Sequence, residues 1–332
     1  MSAKDAVIEI SSDVADIINT GFQFTVSNTK SVPSFDDDDL TFEYGETKRA
    51  KQIETCVLYI DIRNSTQISL THKHHPEFLG RLYVAFTKGM MKAAEYHGGR
   101  VRNIIGDRIM VVFPKEACFT SAVHCAITMN MVAQDINRQF PTITFKCGIG
   151  IDYGQMLVLK TGLYRRGEER NSTRNLVWLG QPANIASKLT DLANKDIKES
   201  KVKVAYKAIQ SFLGRGLLGY GYTSPTLGKL LQSPKPIPEK VEKEFTTDEF
   251  VRNLWWSDAY SKLNHLPGEL ESFGILEIKT TTKSILITES VYNGYKAHNT
   301  GANDIIKGWW TPQQVKIPNF SGKVYGASLV WV

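Results

Sequence analysis

The chain has no run approaching the roughly 20 apolar residues that a membrane-crossing helix needs. Its N-terminus, MSAKDAVIEI, also lacks the apolar core of a secretion signal. A cytoplasmic protein with no membrane span is therefore expected. Cysteine is scarce, with 4 in 332 residues, and no two form a CxxC pair. That excludes a disulfide framework and a thiol-ligated zinc site. Cys56, Cys118, Cys125 and Cys147 read as reduced, three of them in apolar runs as core residues. A block of charge of one sign is missing too. The 40 Lys and Arg against 34 Asp and Glu leave a net +6 dispersed along the chain, so no nucleic acid is expected as a partner, and a pocket for a small anionic ligand is enough to use part of the excess. With 42% hydrophobic and 22% charged residues, a sizeable core is within reach in one large domain or two.

What is present is organised around Glu54 to Phe113. Cys56 to Ile62 is a β-branched and aromatic run of strand length, with Asp61 near its end where another apolar residue would be usual. Arg100 to Phe113 carries Gly106-Asp107 between two apolar halves, a hairpin signal with an acid at the tip. Taken alone, an Asp in a Gly-Asp turn is most often a turn residue. If the two strands pair, however, at the roughly 5 Å spacing of neighbours in a sheet, the two carboxylates can share hard cations such as Mg²⁺ or Mn²⁺. Two such ions suit phosphoryl transfer, because they stabilise the attacking and the leaving oxygen together. Arg63, Asn64, Ser65 and Thr66 follow Asp61 and can open a helix whose free N–H groups face an anion.

Strand-Asp61-Ile62-x-x-x-Thr66, the GGRVRNIIGD hairpin and LGQPANIASKL resemble, in order and spacing, the class III nucleotide cyclases, over roughly Gln52 to Ala193 with a return near the C-terminus. LTFEYGETKRAKQIETCVLYIDIRNST further resembles the bacterial pyrimidine cyclases of the Pycsar antiphage systems. The resemblance implies an α+β fold of ferredoxin-like, palm type, an antiparallel sheet with helices on one side. It also implies a head-to-tail homodimer with sites at the interface and two divalent cations held by Asp61, Asp107 and the Ile62 carbonyl. Asn184 of the other chain would orient the ribose. Lys188, four residues on and on the same helix face, would supply a cation to the transition state where the family usually has Arg. Lys carries that charge without the planar fork. Phosphate contacts would come from Arg63, Ser65 and Thr66, and from Arg165 and Arg166 in the arginine-rich segment YRRGEERNSTR, with Lys316 or Lys323 as γ-phosphate candidates. The reaction implied is in-line attack of the ribose 3′-hydroxyl on the α-phosphorus of a nucleoside triphosphate, expelling pyrophosphate.

The base-reading positions depart from the purine enzymes. Asn103 stands where adenylate cyclases have Lys, and Val177 where they have Asp. Tyr59 shares the strand face of Asp61, and with Arg102 it narrows the pocket. Uracil offers two carbonyls that Asn103 and Arg102 can serve, so UTP is expected and CTP is the alternative. A purine cyclase and a cyclase-like module that binds nucleotide without turning it over remain as rivals. The Pycsar resemblance also implies a separate effector that reads the cyclic nucleotide.

Four segments are expected: an N-terminal packing helix and lead-in over 1–50, a catalytic core over 51–195, an α-rich insertion over 196–283, and core-completing strands over 284–332. Within them, Val7, Ile10, Val14, Ile17 and Ile18 mark one helix face, and the four aspartates of SVPSFDDDD read as a solvated loop. One helix runs from Asp61 to Tyr96 with a break near Pro76, and another spans Ala117 to Ile136. Phe145 to Ile151 and Gln155 to Leu159 read as two strands about a turn at Asp152-Tyr153-Gly154. LLQSPKPIPEK is a linker, NLWWSDAYSKL a helix, and Ser284 to Tyr292 a strand.

Overall fold

The computed structural model describes residues 2–19, 21–42, 47–162, 164–165, 168–169, 174–209, 236–257, 262–265 and 268–331. The chain divides into two compact units, one formed by Met1–Lys195 with Thr281–Val332 and the other by Asp196–Thr280.

The first unit opens with α1 (Ala3–Ile18), β1 (Gln23–Thr29), β2 (Thr47–Ile62), α2 (Ser65–Thr71) and α3 (Pro76–Tyr96). The hairpin β3 (Arg100–Ile105) and β4 (Arg108–Val112) follows, then α4 (Cys118–Gln139), β5 (Cys147–Thr161), the short ribbon β6 (Tyr164–Arg165) and β7 (Glu168–Glu169), β8 (Asn175–Leu179) and α5 (Gln181–Leu192). Pro76 punctuates this run as expected by starting α3, and Gly98 follows that helix at φ 72°. A nine-stranded, mainly antiparallel sheet results, with β2 at its centre between β4 and β5.

The pleat of β2 divides the core. Cys56, Leu58, Ile60 and Ile62 face α3 and α4 through Leu82, Phe86, Met90, Cys125 and Met129. Ile53 and Val57 face the other way, with Met110, Ala183 and Ala186. Helices therefore cover both faces, α3 and α4 one and α5 the other, where a single helical side was expected. Gly148 and Gly150 of β5 explain why: a Cβ on Gly150 would meet Ala186 O at 2.3 Å, so only a bare backbone admits α5 this closely. β5 is also one strand rather than two. Asp152, expected in a turn, is buried mid-strand, where its Oδ1 accepts a 2.6 Å hydrogen bond from the Thr288 hydroxyl. α1 forms with a Ser2/Asp5 capping box, but none of its residues is buried, so it is not the packing helix expected. Asp37, in the aspartate run, is paired with Lys51 at 2.6 Å rather than simply solvated.

The second unit comprises β9 (Asp196–Ile209), β10 (Pro236–Thr246), α6 (Thr247–Arg252), β11 (Leu254–Ser257), β12 (Lys262–His265) and β13 (Gly268–Thr281). It is a five-stranded sheet on a small core of Val202, Val204, Tyr206 and Phe250. Among its described residues the insertion, expected to be α-rich, is a β-sheet with one six-residue helix. Trp255 and Trp256 lie in β11, paired with Asn264 and Leu263, because adjacent bulky aromatics suit the alternating faces of a strand.

The chain then returns to the first sheet with β14 (Ile285–Thr288), α7 (Glu289–His298), α8 (Asn303–Ile306), β15 (Thr311–Gln313) and β16 (Val324–Ala327). β14 lies parallel to β5 and antiparallel to β16. The expected strand over Ser284 to Tyr292 is only four residues long, since Glu289 begins α7. Among the described residues, no helix is long and apolar enough to cross a membrane.

Candidate active site

Asp61 sits on β2 opposite Gly148, on the pleat face of Val57 and Tyr59, and Asp107 occupies the two-residue turn of the β3–β4 hairpin after Gly106 at φ 61°. Because β2 pairs with β4 through Ile60↔Ile109, the hairpin tip and the end of β2 meet at one edge, and the two acids come together there. Burial holds the Asp61 carboxyl above the usual carboxylate range; the Arg108 hydrogen bond opposes this and the neighbouring Asp107 reinforces it. Asp107 Oδ2 is buried with no hydrogen-bond partner. An orphaned, buried acceptor beside a second carboxylate is a strained arrangement without a cation. The pair therefore fits the divalent ions implied by the sequence. Among the described residues, no three His, Cys, Asp or Glu side chains gather for a metal, so the candidate set is two carboxylates and the Ile62 carbonyl.

Arg108 was missed in the sequence reading. Its Nη2 donates to Asp61 Oδ2 at 2.8 Å and also to Asp191, while Nη1 donates to Ser187 Oγ at 2.9 Å. A signal was present: an arginine opening the otherwise apolar strand RIMVVF needs acidic company. Asn184, Ser187, Lys188 and Asp191 fall at i, i+3, i+4 and i+7 of α5 and form one stripe. Asn184 is exposed, and Lys188 Nζ donates to Pro318 O at 3.3 Å. Neither shows a hydrogen bond to Asp61 or Asp107 of its own chain among the described residues.

Ser65 and Thr66 open α2 after Asn64, a left-handed N-cap residue whose side chain makes no capping bond. Arg63, expected at a phosphate, has two of its three guanidinium nitrogens on the chain's own carbonyls: Nη2 donates to Thr190 O at 2.6 Å and Nη1 to Asp191 O at 3.2 Å, at the end of α5, while Nε is buried with no hydrogen-bond partner. Arg165 lies in β6 with its side chain outside the described residues, and Arg166 lies outside them altogether. Lys323 pairs with Glu289 at 3.5 Å.

The base-selecting candidates divide. Tyr59 pairs with Met110, which pairs in turn with Asn103, so Tyr59 and Asn103 occupy one row across three strands. Burial pushes the Tyr59 hydroxyl above its usual range. Arg102 is the extra residue of a bulge between Val101 and Asn103, and its guanidinium reaches the Val101 and Val32 carbonyls at 3.4 and 3.5 Å. These two long contacts turn it toward its own strand and the lead-in segment, and its Nε is buried with no hydrogen-bond partner. Val177 pairs with Leu159, nine residues along β5 from the Gly150 that opposes Tyr59, so one chain does not bring it into that row.

Residues 47–212 match the adenylate and guanylate cyclase catalytic domain. The chain belongs to that family. It is a class III nucleotide cyclase, with the α+β fold of the class. A uridylate cyclase of Burkholderia cepacia is 33% identical over 181 residues, covering 52% of this cyclase and 72% of the relative. A uridylate cyclase of Xanthomonas perforans is 30% identical, covering 58% and 78% respectively. Among solved structures, an adenylyl cyclase from P. aeruginosa is 15% identical with a TM-score of 0.45, covering 83% of this chain and 94% of that one.

Proposed function

We propose that this cyclase converts UTP to 3′,5′-cyclic UMP and pyrophosphate as a cytoplasmic homodimer in antiphage signalling, its product read by a separate effector. The observation that carries the reading is the carboxylate pair with its orphaned oxygen, on the same sheet face as the Tyr59–Asn103 row. The uridylate cyclase relatives support the choice of base. When bound by Asp61, Asp107 and the Ile62 carbonyl, two Mg²⁺ or Mn²⁺ ions supply charge for an oxyanion nucleophile and a triphosphate. The chain does the rest. The uncapped start of α2, with Ser65 and Thr66, offers N–H and hydroxyl donors to phosphate oxygens. Asn184 of the partner chain orients the ribose, and its Lys188 balances charge developing at the α-phosphoryl group. Tyr59 fills space that a purine would need, and the Asn103 amide donates to a uracil carbonyl. Against CTP, that donor faces an exocyclic amine and goes unpaired, a mismatch of about 1–3 kcal/mol once the site closes over the exposed Asn103.

Incubating the protein with the four NTPs and Mn²⁺, then separating products by chromatography, tests the reading. Cyclic UMP is expected to dominate, and Tyr59→Ala to raise purine turnover relative to UTP. Cyclic AMP formed as readily as cyclic UMP would overturn the base assignment, a preference for CTP would reverse the Asn103 argument, and nucleotide binding with no product would make this a non-catalytic module.

A further inference from the structure

We propose that Arg108 is a built-in counter-cation of the carboxylate pair, one that a divalent ion must push aside, and that its second resting place on α5 ties metal loading to the helix carrying Asn184 and Lys188. This deepens the reading above and rests on it. Arg108 is three-quarters buried, its side chain 28% exposed, and Asp61 is 15% exposed, so little solvent screens the 2.8 Å bond between them. One guanidinium nitrogen is divided between two acids that belong to different machinery. Asp61 lies at the metal end of β2, and Asp191, 54% exposed, lies on α5. Ser187 holds the other nitrogen at 2.9 Å on the α5 side.

The arrangement is asymmetric in a useful way. If Asp61 turns to a divalent ion, the two like charges repel, and Arg108 still keeps Ser187 and Asp191, so it is displaced without being stranded. The planar fork permits this, since its two arms can hold helix and strand together or helix alone. In the displaced position Arg108 grips α5 more firmly. Ser187 and Asp191 share their stripe with Asn184 and Lys188, so loading the cation at one protomer's carboxylates stiffens the residues that protomer presents to its partner. Arg108 is thus a positioning residue, touching a metal ligand and the catalytic helix rather than substrate.

The test is direct Mn²⁺ binding to the nucleotide-free protein, read as loss of the free-ion signal in electron paramagnetic resonance. Circular dichroism checks that each variant folds. Arg108→Gln should raise Mn²⁺ affinity at least about tenfold, because a like charge next to the site is gone. Asp191→Asn, at an exposed position that should tolerate it, should lower the affinity by leaving Arg108 with Asp61 as its only carboxylate. Arg108→Lys should remain near wild type in affinity. Unchanged or weaker binding by Arg108→Gln, or unchanged or tighter binding by Asp191→Asn, overturns the proposal. Asp61→Ala separates the two levels. If it binds Mn²⁺ like wild type, the metal site itself is misplaced; if it loses binding while Arg108→Gln changes nothing, only the role of Arg108 falls.

Discussion

At the scale of single residues, the meeting of two acids was legible where a polar side chain broke an apolar pattern. Asp61 ends a buried strand and Asp107 tips a hairpin, and the sheet register brings them together. Asp61→Ala and Asp107→Ala are each expected to cut cyclic nucleotide formation by about a hundredfold or more while the fold persists, as loss of a transition-state contact does. Steady-state assays with matched circular dichroism spectra check this, and near-wild-type turnover by either variant would remove the carboxylates from the chemistry. Residue roles that depend on partners distant in sequence were harder to read. Arg63 looked like a phosphate ligand because it follows Asp61, yet its donors close on α5 carbonyls 127 and 128 residues away. Arg102 was placed toward the base because it neighbours Asn103, but a bulge sets the two apart. Asp152 has the same lesson: Asp-Tyr-Gly is a turn sequence until Thr288, 136 residues on, supplies the hydroxyl that lets the acid lie in a strand.

At the scale of elements, periodicity and punctuation located α3 and α4 closely, since each carries a strong apolar face and α3 a Pro boundary. The failures came where a local pattern was ambiguous. The WW pair suits a strand as well as a helix, and Ser284 to Tyr292 keeps its apolar character across the β14–α7 boundary. The packing of α5 on β5 gives a sharp expectation. At Gly150 a methyl group would meet Ala186 O at 2.3 Å, Thr190 N at 2.5 Å and Leu189 Cβ at 2.7 Å, two of them backbone atoms that cannot rotate away. Gly150→Ala should therefore destabilise by about 1–3 kcal/mol in denaturant titrations. Gly80→Ala, where nothing lies within 4 Å, should instead be neutral or mildly stabilising in α3; equal effects would mean α5 does not seat this closely. A pH dependence follows from the face of the sheet that α3 and α4 cover. His97 bonds to Thr128 at 2.8 Å and His124 to Tyr295 at 3.4 Å, and burial lowers both imidazoles below their usual range, with His124 also repelling His97. Both take up a proton less readily in the fold than in the unfolded chain, which does so below about pH 6.5. Their contribution is complete above that value, shrinks as pH falls through it, and levels off below the folded pKa. His124→Gln should flatten the fall in melting temperature between pH 7.5 and 5.5, and an unaltered slope would place the acid sensitivity elsewhere.

At the scale of the whole molecule, the sequence offered the order of segments, while the sheet-rich nature of the second unit came only with long-range pairing, in which β9 finds β10 and β13 across wide gaps in the chain. Within a single chain, Asn184 and Lys188 show no bond to Asp61 or Asp107 among the described residues, although all four lie on the α5 side of the sheet. In the proposed two-fold arrangement each chain contributes its carboxylates to one site and its α5 stripe to the other. The consequence is a complementation that a one-chain site cannot show. In a heterodimer of Asp61→Ala with Asn184→Ala, one site combines both lesions, whereas the other takes Asp61 from the second chain and Asn184 from the first and is whole. Each variant alone is expected to be inactive. After equal mixing and free exchange, half the dimers are mixed and each has one working site of two, so about a quarter of wild-type activity should return. Recovery must track subunit exchange, measured by fluorescence transfer between labelled chains, and must fail for Asp61→Ala mixed with Asp107→Ala, since both lesions then fall on the same side of the site and no heterodimer escapes them. Exchange without recovery in the first mixture would confine the site to one protomer.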